Sequence, residues 1–201
     1  MKDLIAFSAR EIAALHDQAT AQWHREPSPR LVSGTDFLDV VLAQHRANFD
    51  LWHTEDLARS PQATDRDLAE VKRNIDRHNQ RRNDLAERCD VLLLASLELQ
   101  RLPKAATELH SESPGLMIDR LSILALKLYH TQEEIGRRDA PAGHEERNRE
   151  RLLLLEEQRE DLVDCLDRLW SDVLGGRRRF KVYRQLKMYN DPDLNPAIYN
   201  A

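Results

Sequence analysis

LHSESPGLMIDRLSILALKLYH, Leu109 to His130, is the stretch whose reading decides the fold. It opens on a break, Ser113-Pro114-Gly115, in which Ser113 can cap a helix and Pro114 can take its first position. Beyond Arg120 the apolar residues lose their periodicity: Leu121, Ile123, Leu124, Ala125, Leu126 and Leu128 cover every side. A helix that is apolar all round is a buried helix, so residues 114–135 are expected to form the axis around which the others pack. The same helix carries Asp119, Arg120 and Lys127 into or beside that interior, where charges are costly unless paired. This conflict between burial and charge is the first pointer to a site, with the helix as the floor of a polar cleft.

Upstream, a first helix is expected from about Ser8 to Trp23, with Ser8 and Glu11 in a capping-box pattern and Ile12, Leu15, Ala19 and Trp23 facing inward. A second, roughly Thr35 to Arg59, starts on Phe37, Val40 and Val41. Continuing along that face gives His45, Asn48, Trp52, Glu55 or Asp56, and Arg59, all within roughly 100° of arc. The stripe turns polar halfway along without changing sides. A Trp among such residues favours a cleft wall over open surface.

The third helix, from about Thr64 to Leu99, repeats the pattern. Its stripe runs Leu68, Val71, Ile75, then His78 or Asn79, Arg82, Ala86, Cys89 and Leu93, with Asn79, Asn83 and Asp90 on one flank and Glu87 further round. Downstream of the central helix, Glu145 to Leu174 turns Leu152, Leu155, Leu162, Leu166, Leu169 and Val173 inward, with Arg159 inside the stripe. Gly175-Gly176 stops it. The fold predicted is an all-α, roughly antiparallel bundle of about five helices around the central one, residues 1–201 forming a single domain. Residues 176–201 form an irregular basic and aromatic tail packed on the bundle.

Composition agrees. The chain has 201 residues, 41% of them hydrophobic and 32% charged, enough for one filled core and too apolar for disorder. No apolar run approaches the roughly 20 residues that cross a bilayer. Cys89 and Cys165 both fall on apolar faces and are expected as buried thiols of a reducing cytoplasm. The net charge is −5, but six Lys and Arg stand against two Asp from Arg177 onward. Arg177, Arg178, Arg179, Lys181, Arg184 and Lys187, interleaved with Phe180, Tyr183 and Tyr189, resemble a nucleic-acid patch. The acidity of the remaining chain makes docking on the body the preferred reading, with Phe180, Val182, Tyr183 and Met188 as packing residues and no nucleic-acid partner.

Several chemistries are excluded by motif: no G-x-x-x-x-G-K-[ST], G-x-G-x-x-G, H-E-x-x-H or paired Cys occurs, and the paired Glu-x-x-His of di-iron bundles is missing. Two constellations remain. Glu55 and Asp56 from the second helix, with Glu87 and Asp90 from the third, could hold Mg²⁺, a hard cation that takes oxygen ligands and leaves room for phosphate. All-helical nucleotide pyrophosphatases place carboxylates comparably, and a Mg²⁺-dependent pyrophosphohydrolase is the alternative enzyme reading. A structural ion-pair network is at least as strong an expectation for the same residues. The second constellation is Arg59, Arg82, Arg120, Arg159 and Lys127, set near Asn48, Asn79, Asn83 and Asp119. Guanidinium groups so placed suit bidentate binding of a phosphorylated small molecule such as a nucleotide or nucleotide-sugar. Trp52 would be a stacking wall, and His45 or Glu55 the proton-transfer group.

Four blocks carry a family resemblance: HRANFDLWHTEDLAR (45–59), HNQRRNDLAERCD (78–90), SESPGLMIDRLSILALKLYH (111–130) and FKVYRQLKMYNDPDLNPAIY (180–199). Together they resemble a bacterial family catalogued as domain of unknown function family 4254. Ser113 stands where the family pattern would have Thr, and either residue caps a helix. The resemblance implies that the four blocks belong together. It also implies an association with glycosyltransferases of surface-polysaccharide assembly, so a glycosyltransferase partner is the non-enzymatic alternative. It supplies no catalytic residues.

Overall fold

The computed structural model of the chain describes residues 4–26, 36–184 and 193–194. The order is α1 (Ala9–Arg25), α2 (Phe37–Ala58), α3 (Asp65–Leu97), α4 (Pro114–Ile135) and α5 (His144–Leu174). A 3₁₀ turn at Glu98–Gln100 follows α3, and two-residue strands β1 (Glu108–Leu109) and β2 (Arg178–Arg179) pair in parallel. The fold is an all-α bundle.

The central helix forms as its residues dictate. Ser113 Oγ accepts from the Leu116 N–H at 3.4 Å, Pro114 takes the first turn, and Gly136 ends the helix. Met117, Ile118, Leu121, Ala125 and Leu126 are all at most 2% exposed, and α4 touches each of the other four helices. The main core joins Ile12 of α1, Val40 and Val41 of α2, Leu93 and Leu97 of α3, Leu121 of α4, and Leu166 and Val173 of α5.

α4 is clamped at its start. Asp90 of α3, 2% exposed, accepts from the Ser113 hydroxyl and, at 2.7 Å, from the Gly115 N–H. The approach leaves no room for a side chain: a Cβ on Gly115 would come under 3.0 Å from the Ala86 carbonyl oxygen and from the Asp90 carboxylate.

Three local expectations are corrected. Ser8 makes no side-chain cap; the Ala9 N–H is met instead by Asp167 of α5 at 2.7 Å, a partner that local sequence cannot reveal. Cys165 is exposed rather than buried. Leu68, Val71 and Ile75 are not core either, because α3 buries residues only from Ala86 onward, and Leu68 is 38% exposed. The first half of α3 and the second half of α2 leave the main core together.

The tail begins by docking. Phe180 is 2% exposed within the main core, and its burial contributes about 1.5–3 kcal/mol. Arg177 pairs with Asp172 at 2.7 Å, and Arg179 donates to the Thr107 carbonyl at 2.9 Å. Tyr183 is 40% exposed, and Lys187, Met188 and Tyr189 lie outside the described residues.

A polar layer crosses the interior between α1, α2 and α4. His45 is fully buried, its Nε2 2.9 Å from Thr20 Oγ1 and 3.0 Å from the His16 carbonyl, its Nδ1 2.7 Å from Ser122 Oγ. His16 stacks on it at 4.4 Å. Burial lowers His45 to about 3 and His16 well below its usual value, the latter also opposed by His45. Burial raises Asp90 to about 7 against the pull of its two donors.

Two predictions follow from this packing. Gly115→Ala should cost about 2 kcal/mol or more, lowering Tm by roughly 4–8 °C. Gly136→Ala, whose Cβ would meet only ordinary contacts at 3.5 Å and beyond, should be neutral or slightly stabilising in the same melts. The second concerns acid. His16 and His45 are depressed in the folded state, so their contribution is complete above the unfolded value of about 6.5 and is lost as pH falls toward 3. Asp90 acts in the opposite sense, losing stability as pH rises from about 3.9 to 7. Denaturant titrations at pH 7 and 5 should show the His16→Phe variant with a shallower acid loss than the parent, by up to about 1.4 kcal/mol per pH unit. Equal slopes would contradict the neutral, buried imidazole.

Candidate functional site

The polar half of α2 becomes a cleft because it faces two helices that do not close over it. α2 contributes Asn48, Leu51, Trp52, Glu55, Asp56 and Arg59, α3 contributes Asn79 and Arg82, and α4 supplies Ile123 and Leu126. The space between them is about 610 Å³.

Its floor is built on Asp119, 6% exposed on α4. Arg82 grips this carboxylate as a fork: Nε lies 2.8 Å from Oδ1 and Nη2 2.6 Å from Oδ2. Asn48 Nδ2 donates to Asp119 at 3.0 Å and to Ser122 Oγ at 2.9 Å, and the Gln44 amide completes the set. The carboxylate is therefore fully compensated. Arg82 Nη1 makes no hydrogen bond to the described residues, and its side chain remains 25% exposed at the cleft.

Around this floor the charges are largely paired. Arg59 contacts Glu55 at 3.4 Å and Asp56 at 3.2 Å. Two arginines thus face three carboxylates, counting Asp119, so the cleft has no surplus of positive charge. Trp52 stacks on His130 of α4, ring centroids 4.8 Å apart and planes 7° from parallel, which leaves its other face as the one a ligand can use.

The remaining expected residues lie elsewhere. Arg120 is exposed and pairs with Glu112 at 2.8 Å; with Lys127 it lines a separate cleft of about 490 Å³ between α4 and α5. The reason is helical geometry, since successive residues differ by 100° and Asp119 and Arg120 cannot both face α3. Arg159 pairs with Asp17 of α1 at 2.8 Å, at the α1–α5 seam. Asn83 is half-buried on α3 and outside the cleft lining. His45 is sealed in the core with both ring nitrogens bonded, which corrects its expected place in the cleft; of the two expected proton-transfer groups only Glu55 lines it. The four-carboxylate Mg²⁺ set is corrected too. Glu55 and Asp56 line the cleft, whereas Asp90 is spent on the first turn of α4, and Glu87 acts on Asp90 rather than joining the cleft lining.

One group that the sequence reading missed does converge. His24 of α1, His53 of α2 and His130 of α4 bring one ring nitrogen each within 4.8 Å of one another. Among the described residues this is the only group of three or more His, Cys, Asp or Glu so assembled. No helical spacing links three residues from three helices, so no motif in the chain marks the group; its local trace is His53 beside Trp52.

No helix of the described residues is long and apolar enough to cross a membrane. No curated protein and no solved structure matches the chain. The family described as protein of unknown function DUF4254 matches residues 38–182, which contain α2 from Leu38 onward, all of α3 to α5 and with them the whole cleft, and the chain belongs to that family.

Proposed function

We propose that the cleft between α2, α3 and α4 binds a small phosphorylated metabolite bearing a sugar or base ring, such as a sugar phosphate or nucleotide-sugar. The observation that carries this reading is Arg82. Held by two of its nitrogens on Asp119, it offers Nη1 to the cleft with its conformational freedom already spent. A phosphoryl oxygen there meets a fixed donor, and a ring meets the free face of Trp52. Asn79 adds a polar side chain across the opening. Paired charges around the rim favour a ligand with one phosphoryl group at Arg82 over a polyanion bound by bulk attraction.

Processing of that ligand would fall to Glu55, whose side chain is 40% exposed and held by Arg59. The Mg²⁺-dependent pyrophosphohydrolase has less support, because its carboxylates do not converge. The sugar class and a link with surface-glycan assembly, including a glycosyltransferase partner, come from the family resemblance and guide the choice of ligands.

A thermal-shift series with sugar phosphates, nucleoside phosphates and nucleotide-sugars tests the reading, since a ligand that binds only the folded chain raises Tm with its concentration. Trp52→Ala should weaken the effective ligand on the order of tenfold, the ~1–3 kcal/mol typical of losing a stacking partner. Arg120→Ala, in the other cleft, should leave binding unchanged. Arg82→Ala is avoided because it leaves Asp119 buried and uncompensated, at about 3–5 kcal/mol. No concentration-dependent shift from any of the three ligand classes would sink the proposal.

A further inference from the structure

We propose that His24, His53 and His130 form a binding site for a divalent transition-metal ion, zinc by ligand chemistry, with one coordination position left open. The site is independent of the cleft reading and uses none of its polar lining.

The first argument is that three nitrogens are buried without partners at one place. Nε2 of His24, of His53 and of His130 is inaccessible and makes no hydrogen bond. A buried polar atom left unsatisfied costs about 1–3 kcal/mol, so three of them on rings that converge call for something that satisfies them. Aromatic filler would not require this orientation.

The second argument is tautomeric. His24 Nδ1 lies 2.8 Å from the Thr20 carbonyl oxygen, which can only accept, so Nδ1 carries the proton. His130 Nδ1 lies 2.8 Å from the Glu133 carboxylate and is protonated for the same reason. With Nδ1 as the donor, Nε2 is the nitrogen each ring has left for a metal, and lone pairs brought together repel unless a cation lies between them. A carbonyl or carboxylate behind the far nitrogen is also how metal-bound imidazoles are held.

The rings are fixed in these positions. His24 stacks on Tyr129 at 4.2 Å, His130 on Trp52 at 4.8 Å, and His53 lies edge-on to Phe49 at 4.5 Å. A tetrahedral ion with metal–nitrogen bonds of about 2.0–2.1 Å sets its ligands roughly 3.3–3.4 Å apart. From the 4.8 Å limit found here, closure needs only small ring movements.

Ligand type selects the ion. Three imidazoles suit zinc, copper, nickel or iron and do not suit calcium or magnesium, which take oxygen. Three protein ligands on zinc leave the fourth position to water or substrate. His24 and His53 line an open groove of about 710 Å³ on the α1 side of α2, which Asp56 of the same helix and His78 of α3 also line. That groove is the side from which water or substrate would approach the open position once the rings close on the ion.

The test uses the full chain without a polyhistidine tag, stripped with chelator and titrated with Zn²⁺ and Co²⁺. One equivalent should bind, with the intense visible bands of four- or five-coordinate Co²⁺ and quenching of tryptophan fluorescence through Trp52. His53→Gln and His130→Gln should each abolish stoichiometric binding while far-ultraviolet circular dichroism stays unchanged, and His144→Ala should bind normally. Glu133→Gln, on an exposed side chain behind His130, should weaken the metal roughly 10–100-fold without removing a ligand. Three outcomes would overturn the proposal: binding well below one equivalent by the parent chain, full binding by both Gln variants, or only the faint spectrum of six-coordinate Co²⁺.

Discussion

The fold depends on the compensation of one buried carboxylate. Asp119 lies inside the bundle on its central helix, and an ionised group there costs several kcal/mol unless its oxygens are fully bonded. Gln44 and Asn48 of α2 and Arg82 of α3 supply those bonds, so α2 and α3 have one admissible rotation on α4. Asp90 imposes the same condition from the other side, accepting from Ser113 and Gly115 at the first turn of α4. Contacts on α3 advance from Arg82 to Asp90 as those on α4 retreat from Asp119 to Ser113. The two helices therefore run antiparallel, pinned at two points.

This clamp also explains why a cleft exists. With Arg82 drawn down to Asp119, the part of α3 before it has no helix to cover it, and its residues up to Leu85 are half-buried or exposed. α2 keeps it company beyond Phe49, which is where its own face turns polar. The opening between them is the consequence of an anchor at mid-helix rather than of poor packing. Replacing Asp119 and Arg82 together by apolar residues would still leave the buried Gln44 and Asn48 amides short of an acceptor, at about 1–3 kcal/mol for each group left unsatisfied.

Much of this was legible beforehand, and the limits have physical causes. Ser113, Pro114 and the unbroken apolar run specify α4 locally, so its bounds and burial follow from sequence alone. The polar turn in the α2 and α3 stripes likewise located Asn48, Trp52, Asn79 and Arg82. Periodicity reports the side of a helix, however, and not its depth or neighbour. His45 and Trp52 share a stripe, yet His45 is sealed among His16, Thr20 and Ser122 while Trp52 reaches the cleft. Arg159 sits on an inward stripe because Asp17 of α1 is there to meet it. The histidine triad was beyond reach, since its members are 29 and 77 residues apart in the chain and meet only after α1, α2 and α4 have packed.

α2 places the cleft and the triad back to back. Asn48, Trp52, Glu55 and Arg59 look toward α3 and α4, whereas Phe49, Asp50, His53 and Leu57 look toward the α1 groove, and Asp56 borders both. The stack of Trp52 on His130 joins them directly. Any occupant of the cleft that turns Trp52 must disturb a ring of the triad, and any occupant of the triad that turns His130 must disturb the cleft wall. An aromatic pair of this kind is worth about 0.5–1.5 kcal/mol beyond its buried area. That sets the scale on which this contact can make either site change affinity at the other, from roughly twofold to roughly tenfold. Linkage requires the effect to be the same in both directions, so this single contact between two aromatic rings bounds what it can transmit alike for an occupant of either site.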